Sequence, residues 1–474
     1  MSVDICYIIA QGFSLRMILH SQIVPHLRAH GKTIGVVTPN AHEENIKVLA
    51  AEYGIALFPA RGDQQTQTTF YDKVRPYLTE DLRQNYALRA KHHLFKHARQ
   101  KRAKNLLVYY AVWVLNFLLF RIPLLASLPR RLERRRLHCP KIQTQLAEMR
   151  PGLLVATYPV NPLEARYLHA AQGLGIETVG QLLSWDNITS KGRFAAVPHR
   201  FLAWGPIMHE ELRQHYNVSP ECVVETGVAH FDMYTHTTRD DLFREILTEI
   251  GLSVQKPYIL FGMSSPLFCP REIDVVEWLA DQINAGVFGS DMQLVVRPHP
   301  QNIQGNMMDE SWLPRLKAIA GARVGIQYPL LEKSKLAWNM NRDDLPRLSR
   351  LFHGCCLSIN SGSTFSIDAM LHGKPVIMTM FDANDQLPWW RSVSRFINYT
   401  HLSKLISFGG VRVTRSFGEL GQAVATYLKD PQTDEAQRKE TCANQVGPVD
   451  GGASVRVAEA LCLYLSKTNS GEKP

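Results

Sequence analysis

The sequence has no Cys-x-x-Cys pair and no cysteine or histidine spacing of the kind that binds zinc. Its eight cysteines are scattered, with one adjacent pair at Cys355-Cys356. They read as reduced thiols of an intracellular protein rather than as a disulfide framework. No Gly-x-Gly-x-x-Gly follows the first strand, so the dinucleotide fingerprint is absent. There is no short-period repeat and no low-complexity tract apart from a polar tail from Lys467, which excludes solenoids and linker-like chains. The opening MSVDICYIIA has a short apolar run, no basic residues before it and an acid at Asp4, so it reads as a first strand and not as a secretory signal. Hydrophobic residues make up 45% and charged residues 20% of the 474, ordinary globular values that exclude a disordered chain.

What is present is unevenly distributed. The formal net charge is +10, yet residues 73–141 alone hold 17 Lys and Arg against three acids, Glu80, Asp81 and Glu133. A mildly acidic body therefore carries one strongly basic insert. At its centre, residues 89–136, RAKHHLFKHARQKRAK leads into the apolar LLVYYAVWVLNFLLF and then RIPLLASLPRRLERRR. The apolar run Leu106–Phe120 is 15 residues long and contains Asn116, whereas a spanning helix needs about 20. Its flanks are basic on both sides, where a span would show an imbalance. The pattern predicts a segment lying in the interface of an anionic membrane, with Tyr109, Trp113 and Phe117 shallowly inserted. A buried core helix and a true span are the rival readings. A 15-residue apolar block does not suit nucleic acid.

Outside the insert, short apolar strands alternate with amphipathic helices. Strands are expected at Ile5–Ala10, Thr33–Thr38, Ile55–Phe58, Leu153–Thr157, Thr178–Leu183, Arg200–Trp204 and Val223–Thr226. A second series runs through Tyr258–Gly262, Leu294–Arg297, Val324–Gln327, Cys356–Ile359 and Val376–Met380. A helix is expected over Leu15–His30. The fold class is α/β, with two Rossmann-like halves, parallel sheets covered on both faces, and a cleft between. The boundaries read as a first domain 1–235 with the insert at 62–150, a linker 236–256, a second domain 257–445, and a C-terminal helix and tail 446–474.

Several stretches carry candidate chemistry. INSGSTFSIDAMLHGKP, residues 359–375, places Ser361, Gly362, Ser363 and Thr364 at a helix start, where free N–H groups and hydroxyls suit an anion. Asp368, one turn on, could accept bonds from a ribose diol. The plainer reading is a capped helix start with a first-turn acid. LVVRPHP ends a strand with Arg297 and His299, which could hold phosphate oxygens by charge-assisted bonds. FGMSSP brings Ser264 to a similar turn. SWDNITSKG, residues 184–192, crowds Trp185, Asp186, Asn187, Thr189 and Lys191 together, with an Asx-turn as the plainer alternative. Asp186 is the first candidate for base or acceptor orientation, and His20 the second. Gly12 and Ser14 follow the first strand. His230 lies in ETGVAHFD, where a hinge role is the plainer reading.

Together these stretches resemble the GT-B glycosyltransferase superfamily, and within it the bacterial surface-polysaccharide branch near the CDP-glycerol glycerophosphotransferases. The resemblance rests on ETGVAHFD, VVRPHP, DDLPRLSRLFHGCCLSINSGSTFSIDAMLHGKPVI, and SWDNITSKG followed by RFLAWGPIMHEEL. It implies that Arg297 and His299 contact the donor's phosphates, that Ser361, Gly362, Ser363 and Thr364 cradle its pyrophosphate, and that Asp368 holds the ribose. It also implies no bound metal and no cofactor beyond a UDP-, GDP-, CDP- or CMP-linked sugar. His230 stands where relatives often have Pro, and QGFSLR replaces the GTRPE of the 2-epimerases. The resulting expectation is a metal-independent glycosyltransferase, peripheral on the cytoplasmic face of the membrane, with a lipid-linked or glycan acceptor. Its rivals are a CDP-glycerol or ribitol type of polyol-phosphate transferase, a non-catalytic adaptor, and a 2-epimerase.

Overall fold

The computed structural model describes residues 2–62, 69–96, 102–125, 128–235, 240–303, 308–332, 334 and 339–469. Parts of the expected insert (63–68, 97–101, 126–127), the start of the expected linker (236–239) and the end of the tail (470–474) lie outside them. The chain divides into two compact units. The first comprises 1–235, 333–339 and 444–474, and the second 236–332 and 340–443.

The first unit is built on seven parallel strands: β1 (Ile5–Ile8), β2 (Ile34–Thr38), β3 (Ala56–Pro59), β4 (Leu153–Ala156), β5 (Glu177–Gln181), β6 (Arg200–Ala203) and β7 (Val223–Glu225). Their order is β3-β2-β1-β4-β5-β6-β7. The second unit holds β8 (Tyr258–Gly262), β9 (Gln293–Arg297), β10 (Val324–Ile326), β11 (Leu357–Asn360), β12 (Val376–Thr379) and β13 (Arg412–Thr414), ordered β10-β9-β8-β11-β12-β13. All pairings within both sheets are parallel. Every residue of β1, β4, β8 and β11 is buried, as a sheet with helices on both faces requires. The strand order reverses between β1 and β4, and again between β8 and β11. These switch points are where the carboxyl ends of parallel strands leave room for a ligand.

One expectation about elements needs correction, and one strand was not expected. The helix expected over Leu15–His30 is two helices, Gly12–Ile18 and Ile23–Ala29. The Ser21 hydroxyl donates to the Ile18 carbonyl at 3.0 Å, and Pro25 cannot donate back along a continuous helix. His20 therefore sits in the break and not on a helix. Strand β13 has only three residues and too little apolar pattern to be read in advance.

The C-terminal helix Ala453–Asn469 packs into the first unit's core through Val457, Ala458, Leu461, Tyr464 and Leu465. Asp232 of ETGVAHFD caps it, accepting from the N–H groups of Ala453 (2.9 Å) and Ser454 (2.7 Å).

The insert is helical and docks on the first unit. Its long helix, Arg102–Arg121, is by length and composition able to cross a membrane. One face, however, is committed to protein. Tyr109, Val112, Asn116 and Leu119, at helical spacing, are buried, and Val112 packs with Val74, Leu82 and Leu88. Asn116 is fully buried. Its amide donates to the carbonyls of Tyr77 (2.8 Å) and Glu80 (2.7 Å) and accepts from the N–H of Leu82 (3.3 Å). The polar residue inside the apolar run thus fastens the helix to segment 77–82. Tyr109 is correspondingly not free for a membrane; its ring stacks on buried His92 at 4.4 Å. The opposite face is open. Leu107 is 75%, Val114 58% and Phe117 50% exposed.

Candidate functional site

In the second unit the sequence-predicted donor residues do converge on the carboxyl ends of β8, β9 and β11, but several are already occupied. Arg297 is the last residue of β9 and is buried. Its guanidinium forms a two-pronged ion pair with buried Asp344 (2.7 and 2.8 Å) and donates to Gln327. Asp344 also accepts the N–H of Leu330 at 2.8 Å. Arg297 therefore ties β9 to the start of helix Asp344–Gly354 instead of presenting its charge to a phosphate.

His299 is half-buried and its Nδ1 accepts from the N–H of Gln301 at 3.1 Å, which leaves the proton on Nε2. Burial, and then the nearby Arg297 charge, hold it down at about 4. At neutral pH it is a neutral donor, not the cation expected from LVVRPHP. Asn302, fully buried, joins the two neighbouring turns when its amide nitrogen faces the carbonyls of His299 (3.2 Å) and Ser264 (3.1 Å).

The SGST turn is also organised from within. Asn360 Oδ1 accepts from the N–H groups of Gly362 (2.9 Å) and Ser363 (3.1 Å) and from the Ser366 hydroxyl (3.0 Å). Those two N–H groups point inward and are not available to a pyrophosphate, contrary to the anion cradle expected there. Gly362 adopts φ +78, where a side chain would be strained, and an added Cβ would meet Met380 at 2.9 Å. The Ser361 hydroxyl pairs with Thr379 of β12 at 2.8 Å. The Ser363 and Thr364 side chains are half-buried at the start of helix Phe365–Leu371, and Asp368 is buried one turn on. Gly262 ends β8 directly under the Phe365 ring, 2.4 Å from where a Cβ would sit, which clamps this turn onto β8.

Local pattern did not reveal Glu272. It opens helix Glu272–Asn284 and is buried, and its Oε2 accepts the Ser264 N–H at 2.6 Å. Among the described residues its Oε1 has no hydrogen-bond partner. Burial pushes the carboxyl up to about 8, with the Ser361 hydroxyl and the Ser264 N–H pulling it back. In sequence it looks like an ordinary first-turn acid. The folded state holds this proton more tightly than the unfolded chain does, so the associated stability is full below about 4.5 and is lost as pH rises through about 8. Glu272→Gln keeps the acceptor and removes the titration. Its melting temperature, measured from pH 5 to 8.5, should fall less steeply than that of the parent protein. Parallel curves would mean that Glu272 is ionised throughout.

The first unit repeats the device. Glu164, fully buried on helix Pro162–Gly173, accepts from the N–H groups of Thr157 (2.9 Å) and Tyr158 (2.7 Å) at the end of β4, and burial raises it to about 7. Ser14 is buried and its hydroxyl pairs with Thr157 at 2.8 Å, bracing the β1–β4 switch point. Gly12 is covered by Asn339 of the same unit, whose backbone lies 2.5 Å from where a Cβ would stand. His230 is buried against Phe13 and Trp204, its Nδ1 has no hydrogen-bond partner among the described residues, and burial, then Arg16, hold its pKa well below the usual value.

Asp186 is heavily engaged. It accepts from the hydroxyls of Ser184 (2.8 Å) and Ser190 (2.7 Å) and pairs with Lys191 Nζ at 2.8 Å. Its evident role is to shape the loop. Trp185, Asn187 and Thr189 are buried. The insert reaches this loop directly. Asn85 donates to the Thr189 carbonyl (3.0 Å) and Lys91 to that of Ser190 (2.8 Å). Burial, then the Lys191 charge, bring Lys91 down to about 7, so it titrates near neutrality. Nothing in SWDNITSKG itself announces this amine, which arrives from a segment a hundred residues earlier.

No protein-family model matches the chain, and no curated protein matches it in sequence. Solved structures do. MnaA of S. aureus, solved with UDP, is 14% identical, with 100% of this chain and 99% of that one covered and a TM-score of 0.56. The UDP-GlcNAc 2-epimerase of Neisseria meningitidis, bound to UDP-GlcNAc, is 12% identical over 97% of this chain and 100% of its own, at 0.54. A glycosyltransferase of Rickettsia africae is 10% identical over 97% and 99%, at 0.50. The fold is GT-B. The finer branch expected from the motifs is not resolved by these likenesses.

Proposed function

We propose that this chain is a membrane-associated glycosyltransferase that moves a sugar from a nucleotide-activated donor to a lipid-linked or cell-surface glycan acceptor. The observation that carries the reading is the β8–β11 switch point. There the Ser264 turn, a neutral His299 Nε2–H, the Ser363 and Thr364 hydroxyls and the Asp368 carboxylate gather at the carboxyl ends of a parallel sheet. Neutral donors suit diphosphate oxygens, and a buried carboxylate suits a ribose diol. Proteins of the same fold solved with UDP or UDP-GlcNAc support a nucleotide-sugar ligand. In this reading an acceptor hydroxyl attacks the anomeric carbon, the bond to the diphosphate breaks, and the hydroxyls and His299 stabilise the departing charge. Asp186 and Lys191 orient the acceptor loop. The exposed apolar face of helix Arg102–Arg121, between basic flanks, supports docking on an anionic cytoplasmic membrane face.

A thermal-shift panel of UDP, GDP, CDP and CMP tests the donor. A ligand at one hundred times its dissociation constant adds about 2.7 kcal/mol, so UDP or GDP should raise the melting temperature clearly. Selection of CDP would replace this reading with polyol-phosphate transfer, and binding of none would remove the donor site.

A second reading, a nucleotide-sugar 2-epimerase, draws on the epimerases of the same fold. It predicts conversion of a UDP-sugar with no acceptor present; the transferase predicts none.

A further inference from the structure

We propose that a cavity in the first unit, between the end of helix Arg102–Arg121, helix Leu128–Leu137 and the loop 193–197, binds the headgroup and first carbons of a phosphate-headed lipid. The inference rests on the membrane-facing reading of the insert and deepens it by naming a lipid class and its site.

The cavity has a volume of about 450 Å³, within the range of small-ligand sites. Its lining is divided. Leu119, Phe120, Phe194 and Val197 form an apolar wall, and Arg134 and Arg193 bring two guanidinium groups. The one acid among the described lining residues, Glu133, is already neutralised by a buried ion pair with Arg75. Arg134 is exposed, and Arg193 is steadied by donating to the His215 carbonyl and by lying 5.0 Å over the Tyr216 ring. His169 also lines the cavity. Burial, then His138 and Arg134, hold its pKa below the usual value.

The two chemistries together select an amphiphile. A purely apolar occupant would remove two guanidinium groups from water with no counter-charge. A bare phosphate would satisfy the guanidinium groups but leave the apolar wall wet. Continuity with the open helix face gives the same answer. Phe120 both lines the cavity and is exposed, and Ile122 (40% exposed) and Leu124 (89% exposed) follow it in the chain. A lipid in the interface reaches the cavity without crossing water. The cavity loop begins two residues after Lys191, so an occupant lies next along the chain from the candidate acceptor loop.

The test titrates the full-length protein by calorimetry with a short, water-soluble isoprenyl monophosphate, the corresponding uncharged alcohol, and inorganic phosphate. The monophosphate should bind one to one, with both controls at least about tenfold weaker, because each lacks one half of the recognition. Arg134→Glu should weaken the monophosphate about tenfold or more, and Val197→Trp, at an exposed position on the wall, should block it. Both variants should melt like the parent and keep its UDP-induced thermal shift. Loss of that shift in the parent protein would strike the donor reading alone. Equal binding of inorganic phosphate, equal binding of the alcohol, or unchanged affinity in both variants would overturn the lipid site while leaving the donor reading standing.

Discussion

Arg297→Met should destabilise the second unit by about 3–5 kcal/mol, the usual consequence of leaving one member of a buried ion pair alone. The carboxylate left behind is Asp344, which is buried and accepts two bonds from Arg297 and one from Leu330. Asp344→Leu alone should cost a similar amount, because it strands the guanidinium. The double variant Arg297→Met with Asp344→Leu should recover much of the loss, since apolar replacement of a whole buried pair is often close to neutral. Urea unfolding of the full chain, followed through the second unit's transition, measures all three. The same variants separate scaffold from ligand. With Arg297 committed to Asp344 and Gln327, nucleotide affinity per folded molecule should change little in the double variant. A double variant that is stable yet loses nucleotide binding would return Arg297 to the phosphate role suggested by RPHP.

The other large effect concerns the membrane. Leu107 and Val114 lie on the exposed face of helix Arg102–Arg121. Replacing both with Glu removes two apolar side chains worth about 1.5–3 kcal/mol each if fully buried in the interface. It also adds repulsion from anionic headgroups. Co-sedimentation with vesicles containing acidic lipid should therefore fall by about 100-fold or more. Arg134, Arg135 and Arg136, all exposed on the following helix, should contribute about 1 kcal/mol apiece. Changing all three to Gln should weaken binding substantially, with a reduced dependence on salt. Melting temperatures should stay near the parent value, because neither set touches the inner face built on Val112, Asn116 and Leu119. Variants that pellet like the parent would end the docking proposal and favour a soluble partner for this face.

Both Rossmann halves were legible because their signals are local. Buried strands such as ICYI and YILFG are continuous apolar runs, and strand ends are marked by QGF, MSSP, RPHP and NSGS. The candidate residues Ser264, His299, Ser363, Thr364 and Asp368 were legible for the same reason, since each follows a readable strand. What could not be read was which polar groups are consumed by the protein itself. Arg297 finds Asp344 across 47 residues, and the loop of Asp186 receives Lys91 from the insert. Asn360 turns two loop N–H groups inward, which no spacing rule announces.

Asn116 illustrates the difference. In the sequence it interrupts an apolar run and argues against a span; in the structure it is a fully buried clamp on the backbone of 77–82. It thereby decides which face of the helix meets protein and which stays open. The sequence by itself determined the α/β class, the two strand series, the basic insert and the positions of the strand-end motifs, because these follow from composition and from periodicity along the chain. Tertiary structure alone decided the ionisation of Glu272, Glu164 and Lys91, the engagement of Arg297 and Asp186, and the divided lining of the cavity beside Arg134. These depend on burial and on partners distant in sequence, and a buried group's charge is set by the sum of its surroundings rather than by its neighbours along the chain.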